Sequence, residues 1–265
     1  MFRFVAGVSL GILFGMSNGM FVISVDTLFS RLSQSNPPAL TQQGATLDPE
    51  TGWAGLQARV SSWWKETAGP VAEGAVGAGT GATVGKLNGL QNAMKGGIGS
   101  WTVELEGRYK GVLVSALAAV NAVGDIVDPE TGRIVAGMRN ADGSLADARK
   151  LLRSGATLPT RAGENTTLVV VATNARLQKA QVGRMALMAD DGLARAIYPS
   201  HTLGDGDTVF ALATGRWAGQ ADVTTVGALA ADVVAEAIVR AAAAATSSGG
   251  LASAHETGSV PDRLK

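Results

Sequence analysis

Asn165-Thr166-Thr167-Leu168-Val169-Val170-Val171-Ala172-Thr173 is the stretch on which the reading of this chain turns. Leu168 to Ala172 are apolar without a break and rich in β-branched residues, so Thr167 to Ala172 is predicted to be a buried strand. Downstream, Val182, Met185, Ala189, Leu193 and Ile197 recur at helical spacing. Thr208 to Thr214 reads as a second strand. Val226, Leu229, Ala230, Val233, Ala237 and Ile238 then mark one face of a second helix. Strand, helix, strand, helix predicts an α+β sandwich. Upstream, residues 136–164 are polar with a short helical patch near 145–152, and read as an exposed connection. Before them, Tyr109 to Val127 is an apolar run interrupted at Asn121 and Gly124, and Gly74 to Gly99 is glycine-rich.

The composition narrows the function. The chain has 265 residues, of which 46% are hydrophobic and 17% charged, enough for a real core and too apolar for a disordered chain. Lys and Arg number 22 against 22 Asp and Glu, so nucleic acid is not an expected partner. There is no cysteine, and His201 and His255 are too few for most zinc sites, so neither metal nor cofactor is expected. His201 reads as a structural hydrogen-bonding residue. His255 lies in a polar stretch, 246–265, expected to be a flexible tail.

Phe4 to Val25 carries no charge and is long enough to cross a bilayer as a helix. Its glycines, serines and Asn18 dilute the apolar character, so two readings stand: a membrane anchor, or a buried or irregular segment of a cytoplasmic protein. Trp53, Leu56, Val60, Trp63 and Trp64 fit a short amphipathic helix over 53–66, and packing is the favoured use of its face. The resulting division is an atypical segment, 1–68, a main domain, 69–245, and the tail.

Several motifs are only superficial. Gly77-Ala-Gly79-Thr-Gly81-Ala82 and Gly85-Lys86 suggest phosphate binding, but no strand precedes the first, and Leu87 replaces the hydroxyl residue that should follow the second. Ser100 lacks the second glycine of a nucleophile elbow. The pair Asn165-Thr166 is different. A threonine serves as nucleophile without histidine if its own α-amine is freed to take the hydroxyl proton, and attack of that hydroxyl on the preceding carbonyl is a way to free it.

The segments Gly163–Leu177, Asp191–Ile197 and His201–Thr214 resemble the self-processing aminopeptidase family, whose members include D-aminopeptidase/esterases, β-peptidyl aminopeptidases and nylon-oligomer hydrolases. Val76–Lys86 and Met94–Ser100 are similar in the same order, and the likeness covers roughly residues 69–240. The family's early glycine-rich strand and helix motifs have no counterpart in residues 1–68. The resemblance implies an αββα sandwich similar to N-terminal-nucleophile hydrolases, here incomplete at its N-terminus. It implies autocleavage between Asn165 and Thr166 and hydrolysis of amide bonds in short peptides or related amides, in a homo-oligomer. By motif position it makes Thr166 the nucleophile, Lys86 and Asn121 the groups that stabilise the oxyanion, and Asp205 and Asp207 the carboxylates that hold the new amine. The other reading is an inactive, membrane-tethered or scaffold homologue that does not process.

Overall fold

A computed structural model describes residues 71–155 and 165–265. The uncharged stretch 4–25, the expected helix over 53–66 and the 1–68 segment lie outside the described residues. Among the described residues, no helix is long and apolar enough to cross a membrane.

The decisive stretch is strand β7 (Thr166–Thr173), third in a four-stranded sheet ordered β3 (Gly97–Glu104), β4 (Leu113–Asn121), β7 and β9 (Thr208–Ala213). β3 with β4 and β4 with β7 are antiparallel, while β7 and β9 run parallel. Parallel pairing needs a crossover, supplied by helix α2 (Lys179–Ala196). Helix α3 (Val223–Ala243) follows β9 and packs on β3, β4 and α2. Asp222 caps it by accepting the Thr225 N–H at 2.9 Å.

The two helices cover one face of the sheet. Val114, Ala116, Ala118 and Val120 of β4, Val169 and Val171 of β7, and Val209 and Ala211 of β9 are buried together with Met185, Ala189, Leu193, Val226, Val233 and Ile238. The helical faces expected from spacing are the ones buried, except that Leu229 is half-buried and Ile197, though buried, stands just past the end of α2. Glycine sets the closeness of this layer: a Cβ on Gly99 would meet the Ala237 carbonyl oxygen at 2.1 Å, and one on Gly192 would meet that of Ala231 at 2.5 Å. Of an αββα order, the described residues provide one helix layer and one large sheet.

Two small sheets brace the domain. β1 (Thr83–Val84) pairs with β2 (Met94–Lys95), and β5 (Asp125–Val127) lies between β6 (Ile134–Ala136) and β8 (Ile197–Tyr198). The expected helical patch in the connection is α1 (Ala148–Arg153), whose first residue is buried. The expected flexible tail is a correction. Ala252, Ala254 and Val260 are buried, Ala252 accepts the Lys95 N–H, and the Ser259 hydroxyl donates to the Val135 carbonyl at 2.6 Å.

Candidate active site

The site forms at the N-terminal end of β7. Asn165 is buried and makes a bridge to Asp205, with its amide nitrogen donating to the Gly204 carbonyl at 3.2 Å. The Thr166 hydroxyl lies 2.6 Å from the Asn165 carbonyl oxygen. That same oxygen accepts the Gly206 N–H at 2.8 Å. The bond between the two residues is thus held with a hydroxyl on one side and a backbone donor on its oxygen.

Asn121 stands directly opposite Thr166 in the β4–β7 register, so the two side chains share a face. The Asn121 Oδ1 accepts from Lys86 Nζ at 2.8 Å and from the Thr83 N–H at 3.1 Å. Lys86 Nζ also reaches the Asn121 backbone carbonyl at 3.1 Å. With Oδ1 turned to these donors, the donor of the amide is Nδ2.

Lys86 reaches this place because Gly85 has the left-handed φ of 72° and a Cβ there would stand 2.1 Å from Gly137. The Lys86 N–H then bonds the Val123 carbonyl at 2.8 Å. The glycine-rich approach to Lys86 packs backbone on backbone and has no need of a phosphate.

The two carboxylates differ. Asp207 has a side chain only 1% exposed, and its Oδ1 accepts the Thr167 N–H at 2.8 Å. Burial pushes its carboxyl above the usual carboxylate range, with Asp205 pushing the same way, while the bond from Thr167 and the nearby His201 pull it back. Asp205 uses one oxygen for the Val123 N–H at 3.1 Å and the other for the Thr202 hydroxyl at 2.7 Å. Asp205 therefore ties its loop to the end of β4, and Asp207 is the carboxylate next to β7.

The structure brings Lys86, Asn121, Thr166, Asp205 and Asp207 into one connected network. Two further members, Gly206 and Thr83, carry little signal in the sequence. Gly206 supplies the donor to the Asn165 carbonyl, and its signal is the glycine between two aspartates. Thr83, which holds Asn121, has no sequence signal of its own. Among the described residues no group of His, Asp and Glu has the makings of a metal site.

Peptidase family S58 matches residues 43–255, beginning earlier than the resemblance read from the motifs. An uncharacterized aminopeptidase of Mycobacterium leprae (strain TN) is 40% identical over 198 residues, covering 68% of this chain and 51% of that protein. A 6-aminohexanoate-oligomer endohydrolase of Kocuria sp. (strain KY2) is 30% identical over 190 residues, covering 66% and 52%. This chain spans about half the length of these relatives. The L-aminopeptidase D-Ala-esterase/amidase of Ochrobactrum anthropi, a variant among the Ntn hydrolase fold, aligns with a TM-score of 0.50 at 24% identity, covering 72% of this chain and 52% of that one. The α+β architecture is accordingly that of the Ntn hydrolases.

Proposed function

The chain belongs to Peptidase family S58, and from that premise we propose that it hydrolyses amide bonds after cutting its own Asn165–Thr166 bond. The observation that carries this reading is the Asn165 carbonyl, flanked by the Thr166 hydroxyl at 2.6 Å and the Gly206 N–H at 2.8 Å. In the maturation step Thr166 Oγ adds to the Asn165 carbonyl carbon, and the Gly206 N–H takes the charge that develops on oxygen. The C–N bond breaks, its nitrogen gains a proton and becomes the α-amine, and an ester links the two parts. Water then adds hydroxyl to Asn165 and returns a proton to Thr166 Oγ.

The freed α-amine, with an ordinary pKa of about 8, serves as the base for its own hydroxyl. Asn121 and Lys86 stabilise the oxyanion formed on the substrate, each donor worth about 3 kcal/mol in the transition state. Asp207 holds and orients the amine, and Asp205 fixes the loop that carries it. The substrate class is short peptides and related amides attacked near a free amino end, with 6-aminohexanoate oligomers a member of that class by way of the relative named for them.

The test is mass spectrometry of the folded chain after incubation. Fragments 1–165 and 166–265 are expected, with Thr166→Ala left whole. The cut protein is then assayed on amino-acid p-nitroanilides and on 6-aminohexanoate oligomers. A single intact mass would sink the maturation step, and a cut protein that hydrolyses neither would sink the activity.

A further inference from the structure

His201 sits at the rim of the site in an unusual backbone state. Its φ is 53°, the left-handed region, and among the described residues it is the one non-glycine with a positive φ. A turn that needs only this backbone is served by glycine or asparagine, so what histidine adds is its ring. The ring lies between two carboxylates. Nδ1 is 3.6 Å from Asp207 Oδ2, inside the site, and Nε2 is 3.6 Å from Asp190 Oδ2, on α2. The His201 N–H also points at Asp207 Oδ2, at 3.3 Å.

The surroundings of the two acids are unequal. The Asp207 side chain is 1% exposed and that of Asp190 is 43% exposed. Behind them stand Asp205, which acts on Asp207, and Asp191, which acts on Asp190. Lys86, the cation of the site, is bonded to Asn121. The positive group in direct contact with the buried Asp207 carboxylate in this loop is the imidazole.

We propose that His201 is a positioning residue, a counter-ion shared by Asp207 and the surface Asp190, which keeps Asp207 ionised for its work on the Thr166 amine and sets the acid limit of the reaction. This rests on the function proposed above. Burial raises the Asp207 carboxyl and the charge of His201 opposes that rise. Burial likewise raises Asp190, again opposed by His201. Asp190, half-buried on α2, holds the ring from its other side, in register with the buried partner.

Two measurements test it. In the uncut Thr166→Ala chain, carbon-13 NMR of the side-chain carboxyls, with Asp207→Asn as the assignment control, follows the titration of Asp207 directly. In that chain His201→Asn should raise the titration midpoint of Asp207 by about half a unit or more, and Asp190→Asn, which loses the outer hold on the ring, should shift it the same way. In the cut, active chain, His201→Asn keeps a residue suited to the left-handed backbone but removes the charge. It should move the acid limb of kcat/KM upward by about half a unit or more, with the alkaline plateau changed less. An Asp207 midpoint indifferent to His201→Asn, or an acid limb that stays in place in that variant, overturns the proposal. The carboxyl titration needs no turnover, so a chain that hydrolyses nothing counts against the proposed function while the coupling is still decided.

Discussion

A single methyl group separates glycine from alanine, and at residue 206 there is no place for it. A Cβ there would stand 2.8 Å from Thr166 Oγ1. Gly206 has no left-handed φ to protect and is exposed, so Gly206→Ala should fold normally while driving the hydroxyl away from the Asn165 carbonyl. Self-cleavage is expected to slow by about a hundredfold or more, as for loss of productive alignment. The fraction cut, followed by mass spectrometry with circular dichroism as the control for folding, gives the answer; cleavage at the parental rate would remove Gly206 from the site. The adjacent Thr167 tests a different cost. It is fully buried, and its hydroxyl has no hydrogen-bond partner among the described residues. A desolvated hydroxyl without a partner costs about 1–3 kcal/mol, so Thr167→Val, which keeps the branched shape, should be neutral or raise the melting temperature. A loss of more than about 1 kcal/mol would mean that the hydroxyl is being used.

The elements were unequally legible in the sequence, and the reason is whether a signal is local. β7, β9, α2 and α3 announce themselves because each carries its own apolar period, and the two helical faces read from spacing are buried. The partners of a strand are not local: nothing in the sequence of β3 says that, among the described residues, it lies at one edge of the sheet and β9 at the other. The residues expected at the candidate site came from the resemblance, position by position, but their wiring is not in the motif, since which backbone amides Asp205 and Asp207 each meet depends on the fold. Asp125 shows the same limit. It lies at the end of the apolar run 109–127, yet it joins three elements, accepting the Met138 and Ala148 N–H groups at 2.8 Å from β5. Burial pushes its carboxyl up to about 6 from 3.8, outweighing those two bonds, which pull it down. The folded value lies above the unfolded one, so the folded chain binds this proton more tightly. The group's contribution to stability is full below about pH 4 and is lost as pH rises through about 6, a change on the order of 3 kcal/mol. Urea midpoints across that range should fall more steeply for the parent than for Asp125→Asn, which does not titrate. Asp125→Asn should also start from lower stability, because an amide has one oxygen for two donors. Parallel curves would show that Asp125 stays charged in the fold.

At the scale of the whole molecule, the sheet has one face covered by helices and one carrying the site. On the second face the registered rows Leu117–Val170–Phe210 and Ala119–Leu168–Thr208 are half-buried, and the next row is Asn121–Thr166. In an Ntn-type αββα order a second sheet lies over such a face, so the site would open at the end of a sandwich rather than on a bare surface. The small sheets are covered by the last twenty residues, which pair with β2 at Ala252 and reach β6 through Ser259, against the expectation from their polar composition. Their polar groups satisfy one another: the Ser247 hydroxyl reaches Glu256, the Ser253 N–H donates to Ser247, and small residues between them fill the core. Arg263 fastens the end, donating to Asp128 at 2.9 Å, to Glu236 at 2.9 Å and to Glu130 at 3.1 Å. The Asp128 side chain is 2% exposed, whereas Arg263 itself is 27% exposed and Glu130 66%. The bonds to Asp128 and to Glu236, whose side chain is 17% exposed, are thus the ones that matter, and water discounts the one to Glu130. Arg263→Ala should cost about 1–2 kcal/mol in urea unfolding at neutral pH, less than a fully buried pair because the guanidinium is partly wet. Deleting residues 247–265 should cost more, since it also uncovers Ala252, Ala254 and Val260 and strips the Lys95 N–H of its acceptor. A flexible tail would leave the urea midpoint unmoved in both variants, and that result would show the end of the chain to be dispensable to the fold.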